Sequence, residues 1–173
     1  GVLQNSNYSG KAFRVGGMQI EQKSFATSYI PTSGSTVTRN ADVCNSSGAA
    51  QDFNSTEGVL YAEIAALAND GTTRALSLSD GSSSDRIFIS YSSTDDNISS
   101  FGSTGSATQF SMGAATDATD FTKVAVKYKL NDIALFINGS KVGTDTSATL
   151  PSANTFTSLQ LDSGAGASDF YGK

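Results

Sequence analysis

The chain contains no histidine and no tryptophan, and only one cysteine, two prolines and two methionines in 173 residues. Each absence removes a class of chemistry. Without histidine there is no Ser-His-Asp or Cys-His catalysis and no His-ligated zinc. Cys44 alone can form no internal disulfide and no CxxC-type metal cluster, so it reads as a small apolar filler near a strand end. No apolar run approaches the roughly 20 residues that span a bilayer, which argues against membrane insertion. Lys and Arg total 11 against 16 Asp and Glu, a net charge of −5, and the cations are scattered singly. With no basic stripe to neutralise phosphates, nucleic acid is an unsuitable partner. The first residue is Gly1 rather than an initiator Met, as expected of a processed product or fragment.

What is present is Ser, Thr and Gly. Apolar residues make up 38% and charged ones 16%, so the expected surface is rich in hydroxyls. Strands that face core and solvent alternately have this composition, because only every second residue must be apolar. The clearest case is Val124, Val126, Tyr128 and Leu130 alternating with Lys123, Ala125, Lys127 and Lys129. Asn131-Asp132 then turns the chain, Ile133, Leu135 and Ile137 resume the alternation, and Asn138-Gly139 suits a tight type I′ hairpin. Further strands are expected at 74–79, 86–92, 98–101, around Phe110 and Met112, and at 156–161, with the start of another at 169–173. The Ala-rich run 61–68 could be helix, but Leu60, Ala62 and Ile64 share a strand face, and strand is the better reading. Many short strands with close turns predict an all-β, two-sheet antiparallel sandwich of about this size.

Phe121-Thr122-Lys123-Val124-Ala125-Val126-Lys127-Tyr128, followed by Ala134-Leu135-Phe136-Ile137-Asn138-Gly139-Ser140-Lys141-Val142, resembles the concanavalin A-like lectin/glucanase (laminin-G-like) superfamily. Phe121 stands where that family usually has Trp, and Lys123 where it has His. The resemblance implies a concanavalin A-like jelly roll over 43–173, lacking its last strand. The stretch from Met18 to Val43, including Ser28-Tyr29-Ile30-Pro31-Thr32-Ser33-Gly34, is similar to a connector in bacteriophage tail-fibre proteins. Residues 1–22 would then be the last strands of an upstream β module and 23–42 the connector. The implied setting is a virion or extracellular one, with other virion proteins, copies of itself or cell-surface glycans as partners. A carbohydrate-binding module of a secreted polysaccharide-degrading protein is the alternative.

Glycosidases of this superfamily carry a Glu-x-Asp-x-x-Glu strand, and glycoside hydrolysis needs two carboxylates flanking the scissile bond. Here Glu occurs only at 21, 57 and 63, so a non-catalytic role is expected. Asp95, Asp96 and Asn97 form the densest oxygen-ligand cluster, a candidate calcium site, with Asp80-Gly81 and Asp117 to Asp120 as weaker alternatives. Tyr91 beside that loop is the candidate aromatic platform for a sugar, with Asp95, Asp96 and Asn97 as its polar partners. Phe88, Tyr128 and Phe136 are expected in the core. Five Asn-x-Ser/Thr sequons, at Asn7, Asn45, Asn54, Asn97 and Asn138, are unremarkable in so Ser/Thr-rich a chain.

Overall fold

A computed structural model describes residues 18–20, 29–38, 48–94 and 96–172. The chain divides into two units, Gly1–Asp42 and Val43–Lys173. In the first, the described residues form no strand or helix, and the Ile30 amide donates to Gln19 Oε1 at 2.7 Å. Most of the upstream strands expected over 1–22 lie outside the described residues, as does Cys44.

The second unit is a sandwich of nine strands among the described residues, with no helix. They are β1 (Glu57–Ile64), β2 (Arg74–Ser79), β3 (Arg86–Tyr91), β4 (Asn97–Thr104), β5 (Ala107–Ala115), β6 (Thr122–Lys129), β7 (Ile133–Ile137), β8 (Ser140–Asp145) and β9 (Ser158–Gln160). A four-stranded sheet has the order β1-β6-β7-β8, and a five-stranded sheet the order β5-β4-β3-β2-β9. Every neighbouring pair is antiparallel. This is the expected all-β, two-sheet architecture. The run at 61–68 is strand as far as Ile64, and the segment after Asp169 makes only isolated bridges, Ala75 to Asp169 and Ala66 to Gly172.

Alternation decides which face of each strand is buried. On β6, Val124, Val126 and Tyr128 point into the core, and on β3 Ile87, Ile89 and Tyr91 do. The turns follow from local chemistry. Asn138 and Gly139 have φ of 49° and 83°, and Gly105 and Ser106 have 56° and 67°. Two successive positive φ values are what a type I′ hairpin requires. Gly-Ser is a weaker signal for such a turn than Asn-Gly, which is why β4 and β5 are longer than their sequence suggested.

Two glycines set the spacing of the layers. Gly102 faces inward, and a Cβ there would lie 2.2 Å from the Phe110 ring. Gly143 on β8 lets Met112 Sδ of β5 come within 2.9 Å of the same imaginary atom, joining the two sheets along that edge. At one end of the core Arg74 is 2% exposed. Its Nη2 donates to both Asp70 carboxylate oxygens at 2.8 Å and to the Tyr171 hydroxyl at 3.0 Å. Its Nη1 reaches the carbonyls of Ala68 and Thr72 at 3.3 Å, and the guanidinium lies 4.2 Å from the Tyr171 ring centroid. The Thr72 amide and the Arg74 side chain hold the Asp70 carboxyl below its ordinary range. Together with a Tyr91–Phe170 stack at 6.4 Å, this clamp fastens residues 168–172 to the sandwich.

Two stability outcomes follow. Gly102→Ala should cost about 1–3 kcal/mol, because the buried Phe110 ring has nowhere to move. Arg74→Ala should cost about 3 kcal/mol by removing the clamp and leaving carbonyls unpaired. Urea unfolding measures both. Amide exchange should speed up first at 168–172 in the Arg74 variant, and unchanged exchange there would show that the clamp does not hold the segment.

Candidate functional site

Of the residues expected to form a site, the described ones, Tyr91, Asp96 and Asn97, are engaged within the fold. Tyr91 shares the inward parity of Ile87 and Ile89, is 2% exposed and stacks on Phe170, so its ring is core rather than a sugar platform. Its hydroxyl makes no well-formed hydrogen bond, and burial pushes its pKa up to about 12 against smaller opposing effects of a weak contact with the Ala66 backbone and the Arg74 charge. Asp95 lies outside the described residues. Asp96 has φ of 49°, and its carboxylate accepts the Ala118 amide at 3.2 Å while its own amide donates to Asn69 Oδ1. Asn97 opens β4, and its Oδ1 accepts the Ser92 hydroxyl at 3.2 Å. These groups are engaged in stitching the β3–β4 turn to residues 116–118. Among the described residues no three Asp, Glu or Cys side chains converge on a metal-sized space. Asp80 and Asp117 cap their own turns, accepting from Ser82 and Thr119, and the Thr119 hydroxyl and amide hold Asp117 below the ordinary carboxylate range.

The face that gathers functional chemistry is the outer side of the five-stranded sheet. Pairing register brings Gln160, Ser77, Phe88, Phe101 and Ser111 into one row across five strands. The next rows hold Ser79, Arg86 and Ser103 on one side and Ala75, Ser90, Ser99 and Gly113 on the other. Phe88 and Phe101 stack with centroids 5.1 Å apart and planes 24° from parallel. The Arg86 guanidinium lies 5.2 Å from the Phe88 centroid and 5.6 Å from that of Phe101. Its Nη1 donates to the Ser163 carbonyl at 2.7 Å. Burial lowers the Arg86 pKa, partly offset by nearby Asp162, yet a guanidinium stays charged at any physiological pH. The Ser90 and Ser99 hydroxyls bond each other at 2.9 Å.

A loop walls this face along β2. The chain leaves β9 at Leu161 and returns at Phe170, whose amide donates to the Leu161 carbonyl at 2.8 Å. Within it the Ser163 amide donates to the Ala167 carbonyl at 2.8 Å, and Gly164 donates to Asp162 Oδ1. Gly164, at φ 88°, rests directly on Ser77 and Ser79, and a Cβ there would come within 2.9 Å of Ser79 Cβ. Residues 162–164 are buried, while 165–167 stand exposed as a crest. On the opposite flank Ser111 and Gly113 leave the surface of β5 low and open.

Half-exposed aromatic rings surrounded by hydroxyls and a cation are what a pyranose, with one apolar and several polar faces, requires. Phe88 was expected in the core and sits outside it, as does the half-buried Phe136 on the other sheet. Phe88 has the opposite parity to Ile87, Ile89 and Tyr91, a signal readable in sequence. Its stacking on Phe101, and Arg86 above both, depend on strand register. The carboxylates Glu57 and Glu63 lie on the outer face of the other sheet, Glu57 paired with Lys129 at 3.0 Å and Glu63 opposite Lys123. A second concavity of about 580 Å³ opens between β1 and β9. Its floor is Leu60, Leu76, Leu78 and Leu159, and Asp52, Asn54, Glu57 and Tyr61 also line it.

No family model and no curated protein matches this sequence. Among solved structures, the carbohydrate-binding module CBM66 from Bacillus subtilis is similar at 10% identity, over 64% of this chain and 70% of its own, with a TM-score of 0.48. The Caenorhabditis elegans galectin LEC-6 is similar at 12% identity, over 72% of this chain and 86% of its own, with a TM-score of 0.48.

The orphaned Tyr91 hydroxyl gives a pH-dependent outcome. Because its folded pKa is raised above the unfolded value, the stability it carries is complete below pH 10 and lost as pH rises toward about 12. Tyr91→Phe removes no hydrogen bond, so at neutral pH it should be within about 1 kcal/mol of the parent. It should lack part of the alkaline loss. Urea unfolding at neutral and alkaline pH compares the two, and parallel pH curves would contradict the assignment.

Proposed function

We propose that this chain is a non-catalytic glycan-binding domain whose ligand lies on the outer face of the five-stranded sheet. The observation that carries the reading is the stacked Phe88–Phe101 pair beneath Arg86, half-exposed among serines. The rings stack on each other, and the part of them left open to solvent supplies the apolar contact. Ser90, Ser99 and the guanidinium supply directional hydrogen bonds. Among the described residues no pair of free carboxylates faces this site, and Asp162 is buried and accepts the Gly164 amide. A shallow face of this kind binds weakly, and repetition of the domain on a particle or alongside other binding modules turns weak sites into avidity. The sheet geometry suits an extracellular setting of either kind, a virion fibre or a secreted polysaccharide-degrading protein. The virion setting rests on the 18–43 stretch alone. Calcium at Asp95, Asp96 and Asn97 is no part of this reading.

A glycan array probed with the full chain, with and without calcium, tests it. Phe88→Ala or Phe101→Ala should weaken binding to any positive glycan about tenfold, which corresponds to about 1.4 kcal/mol. Tyr61→Ala, on the exposed face of the other sheet, should leave it unchanged. Binding that survives both phenylalanine changes would move the site elsewhere, and no binding at all would leave a structural module.

A further inference from the structure

We infer that the free edge of β1 is a docking site for one more polypeptide strand, antiparallel to it and in line with residues 170–172. The inference is independent of the glycan reading and uses another part of the surface. It starts from the strand count. Met112 of β5 packs on Gly143 of β8, so these two edges lie over each other. Counting inward from them sets β4 over β7, β3 over β6 and β2 over β1. The five-stranded sheet then has β9 left over, with no strand opposite it among the described residues. The concavity of about 580 Å³ lies at that place, floored by Leu60 of β1, Leu76 and Leu78 of β2 and Leu159 of β9. A fifth strand beside β1 would roof it.

The backbone of β1 is ready for that partner. The Asn138 amide donates to the Lys123 carbonyl and the Lys123 amide to Asn138 Oδ1, so Lys123 turns its backbone toward β7. Backbone groups alternate sides along an antiparallel strand. The residues opposite Lys123, Ala125, Lys127 and Lys129, namely Glu63, Tyr61, Val59 and Glu57, therefore turn their N–H and C=O groups to the open edge. The other edges are blunted. A register shift interrupts the pairing of β5 at Gly102/Ser103 and that of β8 at Leu135/Phe136, and β9 has only 3 residues. β1 has 8 residues in unbroken register, with Val59 and Tyr61 exposed.

Gly172 points to the occupant. It pairs antiparallel with Ala66, and a Cβ on it would come within 2.5 Å of the Ala65 carbonyl oxygen. The run 170–172 thus lies close on the chain just past β1, and its direction leads along β1 from Ile64 toward Glu57. A second copy does not fit. Joined through its own β1, it would bring its β2 to the place that β9 already fills. A single strand has no second layer behind it. Its inward side chains, beside Gly58, Leu60, Ala62 and Ile64, must be apolar to cover the leucines. Backbone bonds give such a strand its hold, and the alternating side chains give it specificity.

Hydrogen exchange followed residue by residue on the full chain tests this. In the parent, the amides of Glu57, Val59, Tyr61 and Glu63 should exchange faster than those of Gly58, Leu60 and Ala62, which bond to β6. The probe strand is an extension after Lys173 of about eight residues, with valine first and at every second position and threonine or lysine between. It should slow the outward amides roughly tenfold or more and raise the urea midpoint. Exchanging the two parities, so that the valines face water, should do neither. No slowing by the first extension, or equal slowing by both, would overturn the proposal. So would outward amides that are already slow in the parent, because the edge would then be covered. Parent protection that grows with protein concentration would assign the edge to a second copy. Should the extended chain fail to fold, the same strand is added as a free peptide, and its failure to slow those amides overturns the proposal equally.

Discussion

Consecutive side chains of a strand point to opposite faces, and this constraint governs everything else in the sandwich. The layer between the sheets takes one parity from each strand: Ile87 and Ile89 from β3, Ile98 from β4, Val124 and Val126 from β6, Leu135 from β7. Whatever the other parity carries is thereby committed to the outer faces. On the five-stranded sheet that remainder is mostly serine, with Arg86, Gln160, Ala75, Gly113 and two phenylalanines. A slip of one residue would exchange core and surface, so register must be pinned. The ring of Phe110 over Gly102 and the contact of Met112 with Gly143 pin it sterically, since neither glycine position can carry another side chain without moving its neighbour.

How legible this was in the sequence depends on the distance over which the signal acts. Val124 to Tyr128 alternates so regularly that β6 could be read directly, although Leu130, given the same parity, lies beyond it and is exposed, and Asn138-Gly139 announced its own turn. The fold class follows from such local signals. Tyr91 lies near Asp95–Asn97 in sequence, but strand parity places it with Ile87 and Ile89 in the core. The turn carboxylate of Asp96 goes to a backbone amide 22 residues away, a debt no local pattern shows. Phe88 carried a readable hint in its parity. Its pairing with Phe101, and the cover given by Arg86, exist only once β3 and β4 are in register. The ridge at 162–167, being Ser, Gly and Ala, offered no periodicity to read.

Two arginines show how placement rather than type decides a role. Arg74 is wrapped by Asp70, two carbonyls and Tyr171, and its charge is spent on holding the last described segment in place. With one cysteine in the chain, such noncovalent fastening stands where a disulfide would in many extracellular domains. Arg86 donates to the Ser163 carbonyl and rests on aromatic rings at the edge of solvent. The first is shut inside the sandwich, and the second borders solvent.

The ridge joins a pinned foot to a free crest. Asp162, Ser163 and Gly164 cannot change without disturbing Ser77, Ser79 or Arg86, but Ala165, Gly166 and Ala167 touch water. Insertions or exchanges at the crest would alter the outline of the platform while the hydrophobic layer beneath stayed as it is. That separation makes the crest a place where lineages can diversify what the face accepts, and where an engineer could graft a new loop, at little risk to folding.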